Sequence, residues 1–167
     1  MLENMSIRPI NLCNDRDAVF DLCKRAADYI QLEYGHAPDM ATVEAFFADV
    51  VPGGDVAQSA KRGAEADGQL YGIADMGFGY PNADDAYIGL LLLDPAARGQ
   101  GVGQRILTEL TQLARARGAT RQLVAVLEAN PGGFAFWQRQ GFVVEKLFEP
   151  APDDPLQHRR LRMVRAL

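Results

Sequence analysis

Residues 98–103 read Arg-Gly-Gln-Gly-Val-Gly, and an amphipathic run follows at once. Glycine costs a helix up to about 1 kcal/mol per residue relative to alanine, so three of them at the head of a helical pattern need a reason. Glycine lets backbone approach a bulky anion, and the free N–H groups of a helix N-terminus point at it with the favourable end of the dipole. A diphosphate is the natural guest. A tight structural turn with incidental glycines is the competing explanation. Two other glycine loops do not fit. A P-loop needs G-x-x-x-x-G-K-[ST], and no Lys-Ser or Lys-Thr pair is present. A dinucleotide fingerprint needs G-x-G-x-x-G and an acidic residue about twenty positions on. From Gly99 the sixth position is Gln104, and Glu128 lies too far along. What remains is R-x-x-G-x-G.

The elements around this turn follow from periodicity. "SIRPI" reads as a first strand. Val19, Leu22, Cys23, Ala26 and Ile30 recur at helical spacing, which predicts a helix over roughly 15–33. Val43, Phe46, Phe47, Val50 and Val51 form a second stripe, ended by Pro52-Gly53-Gly54. "VAQSAKRGAEA" and "QLYGIADMGFGY" flank Asp67-Gly68, a hairpin signal. "AYIGLLLL", 86–93, is apolar enough to be a central strand covered on both faces. A helix follows with Val102, Ile106, Leu110 and Leu113 on one side, and Gly118 fits its C′ position. "QLVAVL", 122–127, is a second buried strand. Asn130-Pro131 reads as an N-cap and first helical position of a short helix ending at Gly141. "FVVEKLF" and "LQHRRLRMV" predict a final antiparallel pair. The order β α α β β β α β α β β implies an α/β (α+β) fold. Its sheet is mixed, twisted and mostly antiparallel, flanked by helices, with one parallel crossover.

Taken together these residues resemble the GCN5-related N-acetyltransferase (GNAT) superfamily. Its longest motif is Q/R-x-x-G-x-G/A between a strand and a helix. Leu93-Asp94-Pro95 before the motif, then Asn130, Phe136-Trp137 and Gly141-Phe142 after it, match the family's pattern along essentially the whole chain. The resemblance implies one acyl-CoA N-acyltransferase domain over 1–167, with acetyl-CoA as cosubstrate and no metal. It implies that the cosubstrate's diphosphate sits on the backbone of Arg98, Gly99, Gln100, Gly101, Val102 and Gly103, with Gln104 nearby. The amide-rich pantetheine arm pairs with the preceding strand at Leu91 and Leu93, where a backbone amide polarises the thioester carbonyl. The two parallel strands splay into a V that admits the arm. Asn130 lies near the cosubstrate or caps its helix, or both. Phe136, with Phe134 and Trp137, packs against the arm or the core. Trp137 departs from the tyrosine that many members use to protonate the leaving thiolate, because an indole N–H does not titrate usefully. Water or Tyr80 is left for that role.

An ammonium acceptor must lose a proton before it attacks. Asp75, inside an apolar strand, and Glu128, at the end of a central one, are the candidate bases, with Tyr80 as candidate acid. Asp84 and Asp85 read as loop solvation, and His36 and His158 carry no supporting motif. Tyr29, Glu33, Tyr34 and Tyr80 would suit an amine or amino-acid-like cation. Neither Cys13 nor Cys23 lies near the motif, so direct attack in a ternary complex fits better than an acyl-enzyme. A non-catalytic CoA-binding or sensor protein of the same fold is the alternative.

The 167 residues suit one domain and carry a net charge of −5. That disfavours a nucleic-acid partner. "HRRLRMVR" reads as a strand with one solvated face. Cys23 falls on an apolar stripe and reads as a buried thiol. No apolar run approaches a membrane span, and no signal-peptide pattern opens the chain. These points imply a cytoplasmic protein without a membrane partner. The expected partner is a small-molecule or peptide amine, and homodimerisation is possible.

Overall fold

A computed structural model describes residues 2–167. Seven strands form one sheet in the order β1-β2-β3-β4-β5-β7-β6. They are β1 (Ser6–Pro9), β2 (Ala60–Ala66), β3 (Gln69–Phe78), β4 (Asp85–Leu93), β5 (Arg121–Leu127), β6 (Val143–Phe148) and β7 (Arg160–Ala166). Only β4 and β5 are parallel; every other pair is antiparallel. The helices are α1 (Leu12–Arg25), α2 (Ala27–Tyr34), α3 (Met40–Ala48), α4 (Val102–Ala116) and α5 (Pro131–Arg139). Apolar residues of α1, α2 and α3 bury Ile73, Leu70 and Leu92 on one face. Those of α4, with Trp137 and Phe142, bury Ala74, Met76, Ile88, Val124 and Met163 on the other. As its composition requires, β4 is central and covered on both sides.

Local chemistry sets most boundaries. The Asn11 side chain accepts from the Asn14 amide and starts α1 earlier than periodicity implies. Asp39 and Thr42 make a capping box at α3. Asp67 and Gly68 both have positive φ, as the tight hairpin turn requires. The Asn130 side chain accepts from the Gly133 amide at 3.0 Å, with Pro131 at the first helical position. Arg160 and Arg162 of β7 alternate with Leu161 and buried Met163, so this basic run is a sheet strand.

Three expectations need correction. The single helix over 15–33 is two helices, parted where Ala26 takes φ −96° and ψ 31°. The strand before the hairpin begins only at Ala60, because Val56–Gln58 form a 3-10 turn. Asp85 is no solvated loop residue. It is the first residue of β4, 2% exposed, and the Arg121 guanidinium donates to both of its oxygens at 2.8 Å.

One irregularity shapes everything that follows. Asp75 of β3 pairs with Leu90, whereas Met76 pairs with Ile88, so Gly89 is an extra residue, a β-bulge in β4. The β4–β5 ladder stops at Ile88↔Val124, just before the bulge. Beyond it the two parallel strands separate. No helix among the described residues is long and apolar enough to cross a membrane.

Candidate active site

The separation leaves a cleft of about 420 Å³, within the range of ligand sites. One wall is Gly89–Leu93 of β4, and the other is Val124–Leu127 of β5. Arg98 and Gly99 close one end, and Asn130, Phe136 and Trp137 bring α5 over it. Past Ile88, β4 keeps its partner β3 but has no strand on its β5 side. An amide-rich ligand entering here meets a ready strand edge.

The glycine turn lies at the end of this cleft. Gly101 caps α4 with φ +80°, a backbone that favours glycine. No side chain caps α4. The N–H groups of Gly99, Gly101, Val102, Gly103 and Gln104 make no hydrogen bond within the described residues. Free donors at the positive end of a fifteen-residue helix are complementary to negative charge. Gly103 has a different reason to be glycine. A Cβ there would stand 3.2 Å from the Phe136 ring and 3.3 Å from Leu93. Gln100 and Gln104 are exposed beside the turn, while Val102 is buried beneath it.

The side chains that hold the turn were partly hidden in the sequence. The Arg98 guanidinium donates to both oxygens of Asp28, at 2.6 and 2.9 Å, and to the Leu93 carbonyl at 3.3 Å. It ties α2 to the strand end rather than reaching for an anion. Asp94, buried, accepts from the Ala96 amide and from Arg25. Arg139, which sequence reasoning passed over, also lines the cleft.

The proton-transfer candidates separate clearly. Asp75 is 3% exposed, and its Oδ1 accepts from Lys61 Nζ at 2.7 Å. Burial pushes its carboxyl above the usual carboxylate range, against the pull of Lys61. Its Oδ2 faces Gly89 on the cleft wall. Glu128 lies just past β5, exposed and ion-paired to Arg159 at 3.3 Å. Tyr80 packs on Tyr87, with ring centroids 5.6 Å apart, beyond the start of β4 where the two parallel strands are still joined. It does not line the cleft. His36 and His158 bond backbone carbonyls of Ala37 and Leu32. Cys23 is buried, and burial pushes its thiol up to about 11. Cys13 is exposed on α1, and neither cysteine lines the cleft.

On the acceptor side, Tyr29 lines the cleft, and burial raises its phenol well above the ordinary value. Glu33 is ion-paired to Arg160 through Oε1 at 2.8 Å, while its Oε2 is buried with no hydrogen-bond partner among the described residues. Tyr34 is 45% exposed beside them. Of the expected site residues, Leu91, Leu93, Arg98, Gly99, Asn130, Phe136, Trp137 and Tyr29 therefore meet at one cleft.

Solved acetyltransferases share this fold. An acetyltransferase from Thermus thermophilus superposes with a TM-score of 0.79 over 99% of each chain at 22% identity. An N-acetyltransferase from Staphylococcus aureus gives 0.75, covering 98% of this chain and 99% of that one at 18% identity. The ribosomal-protein-S18-alanine N-acetyltransferase from Escherichia coli gives 0.70, covering 97% and 93% at 16% identity. Identities this low establish the fold alone. No curated relative matches the sequence. The model of the acetyltransferase (GNAT) family matches residues 25–142, and the chain belongs to that family.

Proposed function

We propose that the protein moves an acetyl group from acetyl-CoA to a primary amine of a small-molecule or peptide acceptor. The observation that carries this reading is the junction of two unsatisfied backbone arrays. The unpaired edge of β4 from Gly89 to Leu93 leads, through the turn at Asp94–Arg98, to the free amides of Gly99 and Gly101–Gln104. An amide-rich arm ending in a diphosphate is complementary to both. Acetyl-CoA would supply the activated thioester. The chain's own part is to orient it and to manage a proton. The free N–H groups of Gly99 and of Gly101 through Gln104 hold the diphosphate, while the amides of Arg98 and Gln100 fix the turn on Pro95 and Ala97. Leu91 and Leu93 offer main-chain donors and acceptors to the arm, and an amide of this strand stabilises developing charge on the carbonyl oxygen. Asn130 holds α5 in place over the cleft by capping it. Phe136 and Trp137 supply apolar wall.

Asp75 takes the proton from the acceptor's ammonium. Burial raises its carboxyl, which makes it a stronger base than an exposed aspartate, and its Oδ2 is not used by Lys61. Glu128 is tied to Arg159 at the rim and does not compete for the role, and Tyr80, the candidate acid, lies at the closed end of the V. With Trp137 buried among aromatic rings, solvent protonates the departing thiolate.

The replacement of the family's frequent tyrosine by Trp137 favours a second reading, a CoA-binding sensor without turnover. Thiol release from acetyl-CoA, measured across amines from polyamines to peptide N-termini, separates the two. Release stimulated by one acceptor class supports the transferase. Tight CoA binding with no release for any class supports the sensor.

A further inference from the structure

Two carboxylates converge on the bulge residue Gly89. They come from the face covered by α1–α3, opposite α4. Asp75 Oδ2, unlike the Oδ1 that Lys61 holds, accepts no hydrogen bond among the described residues, and it lies 2.9 Å from where a Cβ on Gly89 would stand. Asp49, which ends α3, places its Oδ2 3.5 Å from the same point. One ammonium holds both residues there. Lys61 Nζ donates to Asp75 Oδ1 and to the Asp49 backbone carbonyl, each at 2.7 Å. The spacing is built into the fold rather than left to two free side chains.

The charges do not cancel. Lys61 neutralises Asp75. The Asp49 carboxylate has no ion-pair partner among the described residues, and Tyr34 of α2 is its other titratable neighbour. The group therefore carries one net negative charge beside Gly89, an exposed residue of the cleft wall, with Asp49 exposed and Asp75 buried.

We propose that Asp49 and Asp75 together receive the acceptor's primary ammonium over Gly89, with Asp49 as a specificity residue. A primary ammonium has three donors and one charge. Two donors go to the two Oδ2 atoms, and the charge balances Asp49. An alcohol offers one donor and no charge. A quaternary ammonium offers charge and no donor. The pair therefore selects for a primary amine and holds its nitrogen at the bulge, where the cleft begins. This rests on the amine-acetyltransferase reading above and adds to it a residue from α3, an element that carried no expected site residue.

The test uses butylammonium as the probe and the side-chain carboxyl 13C signals of Asp49 and Asp75 as the readout. Saturable shifts of both signals are expected in the wild-type protein, and neither butanol nor tetramethylammonium should produce them. Asp49→Asn keeps the backbone carbonyl that Lys61 uses. It should weaken butylammonium about tenfold, the loss of one charge-assisted contact, while acetyl-CoA affinity stays at the wild-type value. Butylammonium that shifts neither carboxyl, or that binds Asp49→Asn as tightly as wild type, overturns the proposal. The parent reading is checked separately by acetyl-CoA calorimetry. If the wild-type protein binds no acetyl-CoA, the transferase reading fails, whatever the carboxyl signals show.

Discussion

Replacing Gly101 by aspartate should separate folding from cosubstrate binding. Gly101 has φ +80°, and no atom lies within 4 Å of a Cβ built on it. The structural cost is therefore backbone strain alone, about 1–2 kcal/mol for an L-residue in the left-handed region. A carboxylate at a helix N-terminus returns roughly 0.3–1 kcal/mol of this through the dipole. At about 2–4 °C per kcal/mol for a domain of this size, the Tm should fall by no more than about 7 °C. Binding should suffer far more. The new carboxylate would stand among the free amides of Gly99 and Gly101–Gln104. Against a diphosphate about 4–5 Å away, at an effective dielectric of about 20, the repulsion is on the order of 3–4 kcal/mol. That weakens acetyl-CoA on the order of 100- to 1,000-fold. Gly101→Ala is the control, with the same strain and no charge. Calorimetric titration of acetyl-CoA into both variants, alongside their melting curves, gives the answer. Gly101→Asp binding acetyl-CoA within threefold of Gly101→Ala would refute the diphosphate assignment. Gly103→Glu cannot serve instead, because Phe136 and Leu93 crowd that position and the fold itself would shift.

Two further outcomes are expected. Trp137 meets Phe136 and Phe142 edge to face, with centroids 5.0 and 5.1 Å away. Trp137→Tyr should cost about 1–2 kcal/mol in urea unfolding, against about 3–5 for Trp137→Ala, and should keep acetyl-CoA affinity within a few fold with turnover no lower than wild type. A large loss of affinity would show that the indole itself shapes the arm's site. Arg121→Gln leaves the Asp85 carboxylate buried with only Asn82 donating to it, and should cost about 2–4 kcal/mol at pH 7. Arg121 holds the Asp85 carboxyl below the usual carboxylate range. Its stabilisation is thus present above the unfolded value, about 3.9, and is lost as pH falls through the lower folded value. The stability gap between wild type and Arg121→Gln should therefore narrow below about pH 4, as urea midpoints at pH 7 and pH 3 would show.

The parts of the site legible in the sequence are those made by local backbone. The turn from Arg98 to Gly103, the Asn130 cap and the apolar runs of β4 and β5 each declare themselves within a few residues. What was hidden depends on register. Counting back from the Asp67-Gly68 turn through Ala66↔Gln69 and Glu65↔Leu70 would set Lys61 opposite Ala74. A bulge between Ala64 and Glu65 shifts the ladder by one residue and puts Lys61 opposite Asp75. The bulge at Gly89 arises the same way, one residue hidden inside an apolar strand. The division at Ala26 had no local signal, since alanine is the best helix former. Ala26 is fully buried, so packing decides its conformation. Asp85 looked like a loop residue because its partner Arg121 is its neighbour only across the parallel β4–β5 ladder. The Arg98 side chain, whose partner Asp28 lies seventy residues earlier, had no local signal either.

The most direct test of the central claim is a backbone amide NMR titration of the wild-type protein with acetyl-CoA. The diphosphate on the α4 turn and the arm on the open edge of β4 require the largest shifts at Gly99, Gly101, Val102, Gly103 and Gln104. Shifts at Leu91 and Leu93 should saturate with the same Kd. Saturable binding that moves amides elsewhere and leaves these seven residues unchanged would contradict it.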